Sequence, residues 1–234
     1  MYHPRAPDVH RVDDTYYCYY TVSSFGTSDS FIGLATSETL QNNSWTDYGT
    51  VLRSGNGSDV EFPLTITNAI DAALLHDPKT DTSYLTYGSW WANIWQFILN
   101  DDMQSVDQDS AVQLSYTFDG DMTKEEAYAT FNQSWGGASP EEGAYLSYNE
   151  GEGYYYLWYS AGLCCGYNPA NLPAPGEEYS IHMGRSESPR GPFLDRNGVD
   201  LAEGGGSLVY GSHGDTYGPG GQAVLSNYRG RDVL

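Results

Sequence analysis

Cysteine, basic residues and long apolar runs are all scarce in this chain of 234 residues, and each shortage narrows what it can be. There are three cysteines: Cys18 lies in a tyrosine-rich stretch, while Cys164 and Cys165 are neighbours, so no disulfide framework can be read. The neighbouring pair reads as buried thiols. No Cys or His pair has ligand spacing, so the residues themselves call for no metal. Lys and Arg total 10 against 31 Asp and Glu, giving a formal net charge of −21. A polyanion of that kind repels nucleic acid and anionic membrane surfaces, and a neutral polar ligand suits it better. No run of about 18 apolar residues occurs, which excludes a membrane-spanning helix. The opening MYHPRAPDV lacks the basic and apolar regions of a secretory signal, although Asn-x-Ser triplets at Asn42, Asn56 and Asn132 would suit a secreted glycoprotein.

Aromatics and glycine, by contrast, are abundant. The chain carries 21 Tyr, 6 Trp and 27 Gly and few stretches of good helix formers, a composition that favours β-structure. Its length is enough for one large β domain or two small ones.

Three stretches share one grammar: residues 6–22 (APDVHRVDDTYYCYYTV), 69–90 (AIDAALLHDPKTDTSYLTYGSW) and 141–162 (EEGAYLSYNEGEGYYYLWYSAG). Each opens near an acidic residue, runs into a short apolar strand, turns on Asp, Asn or Gly, and returns on alternating aromatics. That is a β-hairpin, three times over. Further strand-like segments follow each hairpin: SFIGLATS and WTDYGTVL, then IWQFILN and AVQLSY, then YSIHMGRSES and GPFLDR. Four antiparallel strands per repeat is the pattern of a propeller blade. The repeats are long, with 63 residues from Asp8 to Asp71 and 71 from Asp71 to Glu142. A fourth unit starts at GPGGQAVLSNYRGRDVL (218–234). The expectation is a single all-β domain of propeller type, with blades at about 1–60, 61–118 and 139–200 and a partial blade at 204–234.

A propeller brings the innermost strands of its blades together around one channel, so equivalent repeat positions converge. Asp8, Asp71, Glu142 and the Gly221–Gln222 pair hold that position. Glu142 is the sharpest candidate. Its neighbour Glu141 should point the other way along the strand and stand as a surface charge. Asp71, between apolar neighbours in TNAIDAALL, should be a buried carboxylate that either serves the site or holds a loop by accepting backbone N–H bonds. Asn68 reads equally as a loop cap or a sugar-hydroxyl donor, and Asp8 as structural. Of Trp90 and Trp91, one should pack between blades while the other offers a stacking platform. Ser160 occupies the matching stretch of the next blade. His76-Asp77-Pro78 is ordinary turn chemistry and not a catalytic triplet.

Taken in order, APDV, TYYCYYTVSSFGTSDSFIGLATS, NAID, GSWW, EEGAYL, the Cys pair, MGRSESPRGPF and GPGGQ resemble the arabinanases of glycoside hydrolase family 43, closest to the secreted, fungal-type endo-1,5-α-L-arabinanases. The resemblance implies a five-bladed β-propeller that hydrolyses arabinan or arabino-oligosaccharides with inversion, outside the cell and as a monomer. On it, Glu142 is the general acid and Asp71 the carboxylate that orients the acid and modulates its proton affinity. Asn68, Trp90, Trp91, Ser160 and Gln222 are the expected substrate contacts. The family's base, an aspartate of an HDP motif in an earlier blade, matches no residue here, so the chain as it stands is expected to turn over slowly or not at all. Nor is a cofactor expected: the histidine after GPG that helps hold a channel calcium in the family is replaced by Gly221 and Gln222. The alternatives are a non-catalytic carbohydrate-binding propeller and an exo-acting α-L-arabinofuranosidase or β-xylosidase.

Overall fold

In the computed structural model, which describes residues 3–117, 123–131 and 140–234, the three repeats are three antiparallel sheets of four strands. The first comprises β1 (His3–Val12), β2 (Thr15–Ser23), β3 (Ser30–Ser37) and β4 (Thr46–Ser54). The second comprises β5 (Ala73–Asp77), β6 (Thr82–Tyr87), β7 (Ile94–Leu99) and β8 (Val106–Ser115), and the third β9 (Glu141–Asn149), β10 (Tyr154–Ala161), β11 (Ser180–Ser186) and β12 (Ser207–Tyr210). Within each sheet every strand pairs with its sequence neighbour. A last hairpin joins β13 (Leu225–Tyr228) to β14 (Arg231–Val233). β1 lies against β5, β5 against β9 and β9 against β13, so the opening strands of successive units follow one another as the inner strands of a propeller do.

The core lies between the sheets. Tyr19, Ile32 and Leu34 of the first sheet meet Leu74, Leu85, Tyr87 and Phe97 of the second in one buried cluster. Leu75, Tyr84 and Ile94, also of the second sheet, meet Leu146, Tyr155 and Leu157 of the third in another. Residues of opposite parity in β5 and β6 thus serve opposite neighbours, which is why these strands read as continuous apolar runs. Asp8 ties the first two sheets, its Oδ2 accepting the Leu74 N–H at 2.7 Å and facing His10 Nε2 at 3.1 Å. This is a structural duty. His76 and Asp77 close β5 and a turn follows at Pro78: buried Asp77 accepts from Lys79 N at 3.1 Å and Thr80 Oγ1 at 2.8 Å, and also from Tyr155 of the third sheet at 2.8 Å.

Two elements differ from expectation. The fourth strand of the third sheet is Ser207–Tyr210, so that unit runs past residue 200, while GPFLDR makes only isolated bridges from Leu194 to Arg185 and Asp200. Its single fully buried residue, Phe193, anchors it in the core as a plug. A short helix, α1 (Lys124–Thr130), follows the second sheet, with Thr123 and Glu126 forming a capping box. No helix among the described residues is long and apolar enough to cross a membrane. Asn42 and Asn56 are exposed, and Asn132 lies outside the described residues.

Candidate active site

Two loops converge on the peptide that follows Glu142, and the end of β10 holds one of them in place. Asp71, in the loop entering β5, accepts the Gly143 N–H on Oδ2 at 3.2 Å. Gln222, from the segment before β13, donates its Nε2–H to the Gly143 carbonyl at 2.6 Å. Ser160, opposite Glu142 in the β9–β10 ladder, donates to Gln222 Oε1 at 2.8 Å and accepts the Gly221 N–H at 2.9 Å. Repeat positions 71, 142 and 222 are therefore brought together, whereas Asp8 stays with β5.

The half-buried Glu142 carboxylate has two hydroxyl donors. Ser89 Oγ donates to Oε2 at 2.6 Å, and Tyr179 Oη to Oε1 at 3.0 Å. Neither residue was selected by its sequence. Ser89 sits in the GSWW stretch read for its tryptophans, and Tyr179 lies in a loop without periodicity. Tyr179 is fixed by its own backbone: its N–H donates to Leu163 O at 3.1 Å, and that carbonyl also accepts the Tyr167 hydroxyl at 2.6 Å. Burial and the neighbouring Glu142 push the Tyr179 phenol far up, so it remains a donor. Gly220 makes this packing possible, because a Cβ there would run into the Tyr179 ring.

Backbone strain gathers at the same place. Asp71, Trp90 and Trp91 have φ of 55°, 56° and 42°, a left-handed conformation that bulky side chains seldom adopt. Gly143, at 61°, sits in a bulge where β9 carries one residue more than β10.

Glu141 is not the surface charge expected. It is 1 % exposed, its Oε1 accepts the Ser115 hydroxyl at 2.5 Å, and its Oε2 has no hydrogen-bond partner. Burial pushes its carboxyl up to about 8. The reason is architectural: a strand sandwiched between sheets has no solvent face, so pointing away from the channel means pointing into the interior. Burial along β9 falls on Glu141, Ala144, Leu146 and Ser147, with the bulge between Glu141 and Ala144 widening the first interval.

The remaining candidates divide. Trp91 is buried in the core and Trp90 packs half-buried against it. Asn68 is in the interior, 4 % exposed, its Oδ1 accepting the Ser30 hydroxyl at 2.7 Å, so it ties the loop before β5 to the first sheet. Ser160 is fully buried and acts on Gln222. Cys164 and Cys165 are not buried thiols: they are joined in a disulfide within the loop after β10, with Cys165 exposed.

The residues present do not fit a channel cation. Gln222 directs its amide oxygen to Ser160 and presents an N–H donor to Gly143, so both ends of its amide are engaged within the protein. Among the described residues no group of three or more His, Cys, Asp or Glu is placed to hold a metal.

The fold matches that of solved arabinanases. Cellvibrio cellulosa α-L-arabinanase superposes with a TM-score of 0.80 at 29 % identity, over 98 % of this chain and 67 % of that one. The same enzyme complexed with arabinohexaose gives 0.73 at 30 % identity, over 90 % and 61 %. The fold is accordingly that of the β-propeller glycosidases. In sequence, the probable arabinan endo-1,5-α-L-arabinosidase B of Aspergillus oryzae is 45 % identical over 238 residues, 99 % of this chain and 66 % of the relative. The chain thus spans just under two thirds of that relative's length. It belongs to the glycosyl hydrolases family 43, whose family model matches residues 2–234.

Proposed function

We propose that this chain carries the acid side of an endo-acting arabinanase site in a five-bladed propeller that cleaves α-1,5-linked L-arabinan with inversion, outside the cell. The observation that carries the proposal is the Glu142 carboxyl, half-buried and held between Ser89 and Tyr179 beside a peptide clamped by Asp71 and Gln222. An acid of this kind must reach the glycosidic oxygen in one fixed orientation. Protonated Glu142 gives its proton to that oxygen as the bond to the anomeric carbon breaks, and water adds to the carbon from the opposite face. The Ser89 and Tyr179 hydroxyls stabilise the carboxylate left behind. Asp71 orients the acid through the backbone. An inverting mechanism also needs a carboxylate base roughly 6.5–9.5 Å away, to which no residue of this chain is assigned.

The substrate follows from the relatives, which include an arabinanase crystallised with arabinohexaose. Neutral arabinan or its oligosaccharides also suit a net charge of −21. The test is release of arabino-oligosaccharides from linear arabinan by the protein and by Glu142→Gln. Loss of about 10²–10⁴-fold is expected for the variant. Equal rates would remove Glu142 from the mechanism, and release of single sugars alone would favour an exo-acting enzyme. Binding of arabinotriose without any turnover, even by a protein extended to the full five blades with a base, would favour a carbohydrate-binding propeller.

A further inference from the structure

Glu141 is a fully buried carboxyl that the mechanism above does not use. It is held on three sides. Its carbonyl accepts the Trp90 N–H at 3.0 Å from the β6–β7 loop, its Oε1 accepts from Ser115 at the end of β8, and its Oε2 is enclosed without a partner. The Tyr159 ring of β10 closes the remaining side, with its hydroxyl beside the carboxyl and directed at Gly205 O at 3.3 Å. Behind Tyr159 stacks His182 of β11, with centroids 5.6 Å apart, and burial lowers that imidazole so that it stands neutral above the usual histidine range. Asp195 acts on Tyr159 from the next loop and is itself an anion. The groups that act on Glu141 are thus hydroxyls, with no cation among them. A carboxylate with one desolvated, unpartnered oxygen and no counter-charge is costly, whereas a carboxylic acid is tolerated.

We propose that Glu141 is a positioning residue that works as a neutral carboxylic acid: it fixes the first residue of β9 between the second and third sheets and thereby holds Glu142 against Ser89 and Tyr179. The positioning role rests on Glu142 being the acid; the neutral state does not. Ionisation of Glu141 would place a negative charge in this interior, loosen the start of β9 and bring a second anion next to Glu142. The neighbouring glutamates then have unlike duties. One exchanges a proton with substrate, and the other must keep its own.

The state of Glu141 is read by infrared spectroscopy at pH 7, where the wild type should show the carbonyl stretch of a buried protonated carboxyl and Glu141→Gln should lack it. Melting supplies a second readout. The carboxyl titrates near 4.5 when unfolded and about 8 when folded, so the folded state alone holds the proton between those values. The wild-type midpoint should therefore fall by about 3–5 °C per pH unit across that window relative to Glu141→Gln. Ser115→Ala removes the hydroxyl donor to Oε1 and should move the folded titration of the carboxyl higher, keeping the test open should Glu141→Ala fail to fold. On arabinan, Glu141→Ala should lower kcat tenfold or more, and Glu141→Gln, which keeps the shape of the neutral acid, should restore it to within about threefold. Absence of the infrared band, or parallel melting curves, would overturn the neutral state. Glu141→Ala at wild-type kcat, or Glu141→Gln as slow as Glu141→Ala, would overturn the positioning role. No turnover by the wild type, even in a protein extended to the full five blades with a base, would count against the arabinan reading and the positioning role together, while the spectroscopic and melting arms would still decide the neutral state.

Discussion

Asp71 and Gly143 are joined across 72 residues by one hydrogen bond, from the glycine N–H to the aspartate Oδ2 at 3.2 Å. The bond crosses from the second sheet to the third and ends one residue from Glu142. A negative charge is one thing an aspartate supplies at such a place, but here the geometry favours its role as an acceptor for backbone.

That role can be separated from charge. Asp71→Asn keeps an acceptor oxygen, and asparagine tolerates the φ of 55°. Asp71→Ala loses the bond and strains the turn, so it should cost about 2 kcal/mol and lower the melting midpoint by about 4–8 °C. Asp71→Asn should keep most of that stability. If it loses arabinan turnover as fully as Asp71→Ala, charge is required in addition to geometry.

The two hydroxyls on Glu142 should matter independently of each other's side chain. Ser89→Ala and Tyr179→Phe are each expected to lower kcat by about 10- to 100-fold, the usual worth of a hydrogen bond to a charged group. Steady-state kinetics with both singles and the double would show whether the bonds couple.

Gly220 has no room for a side chain. Gly220→Ala would drive its Cβ into the Tyr179 ring and towards Ser160, displacing one donor to Glu142 and the partner of Gln222. A loss of about 1–3 kcal/mol is expected from such overpacking, together with reduced turnover. Thermal denaturation alongside kcat would test both; an unchanged kcat would show that the Tyr179 contact is dispensable.

Acid should act through His182. Burial holds this imidazole below its usual titration, so between the unfolded value of about 6.5 and its lower folded value only the unfolded chain binds the proton. Stability is then lost as pH falls through that window. Substituting His182→Gln should flatten this part of the melting profile, and an unaltered profile would remove His182 from the acid response.

Much of the architecture was legible because strand formation depends on neighbours. The alternating aromatics of 15–22, 82–87 and 154–161 mark the second strand of each hairpin, and all three occur. Repeat register alone places Asp71, Glu142 and Gln222 at equivalent positions, and the structure brings them together. GPFLDR was misread because a lone buried anchor at Phe193 resembles a short strand, and α1 was passed over although Thr123 and Glu126 have the spacing of a capping box.

By itself, then, the sequence determined where strands and turns fall and which repeat positions share one end of the units, since both follow from short-range periodicity and spacing. Tertiary structure alone decided that Ser89 and Tyr179 hold Glu142, that Asn68 ties the loop before β5 to the first sheet, and that Glu141 is interior. Those outcomes depend on what the facing sheet presents, and Ser115, 26 residues before Glu141, leaves no trace in the local pattern of β9.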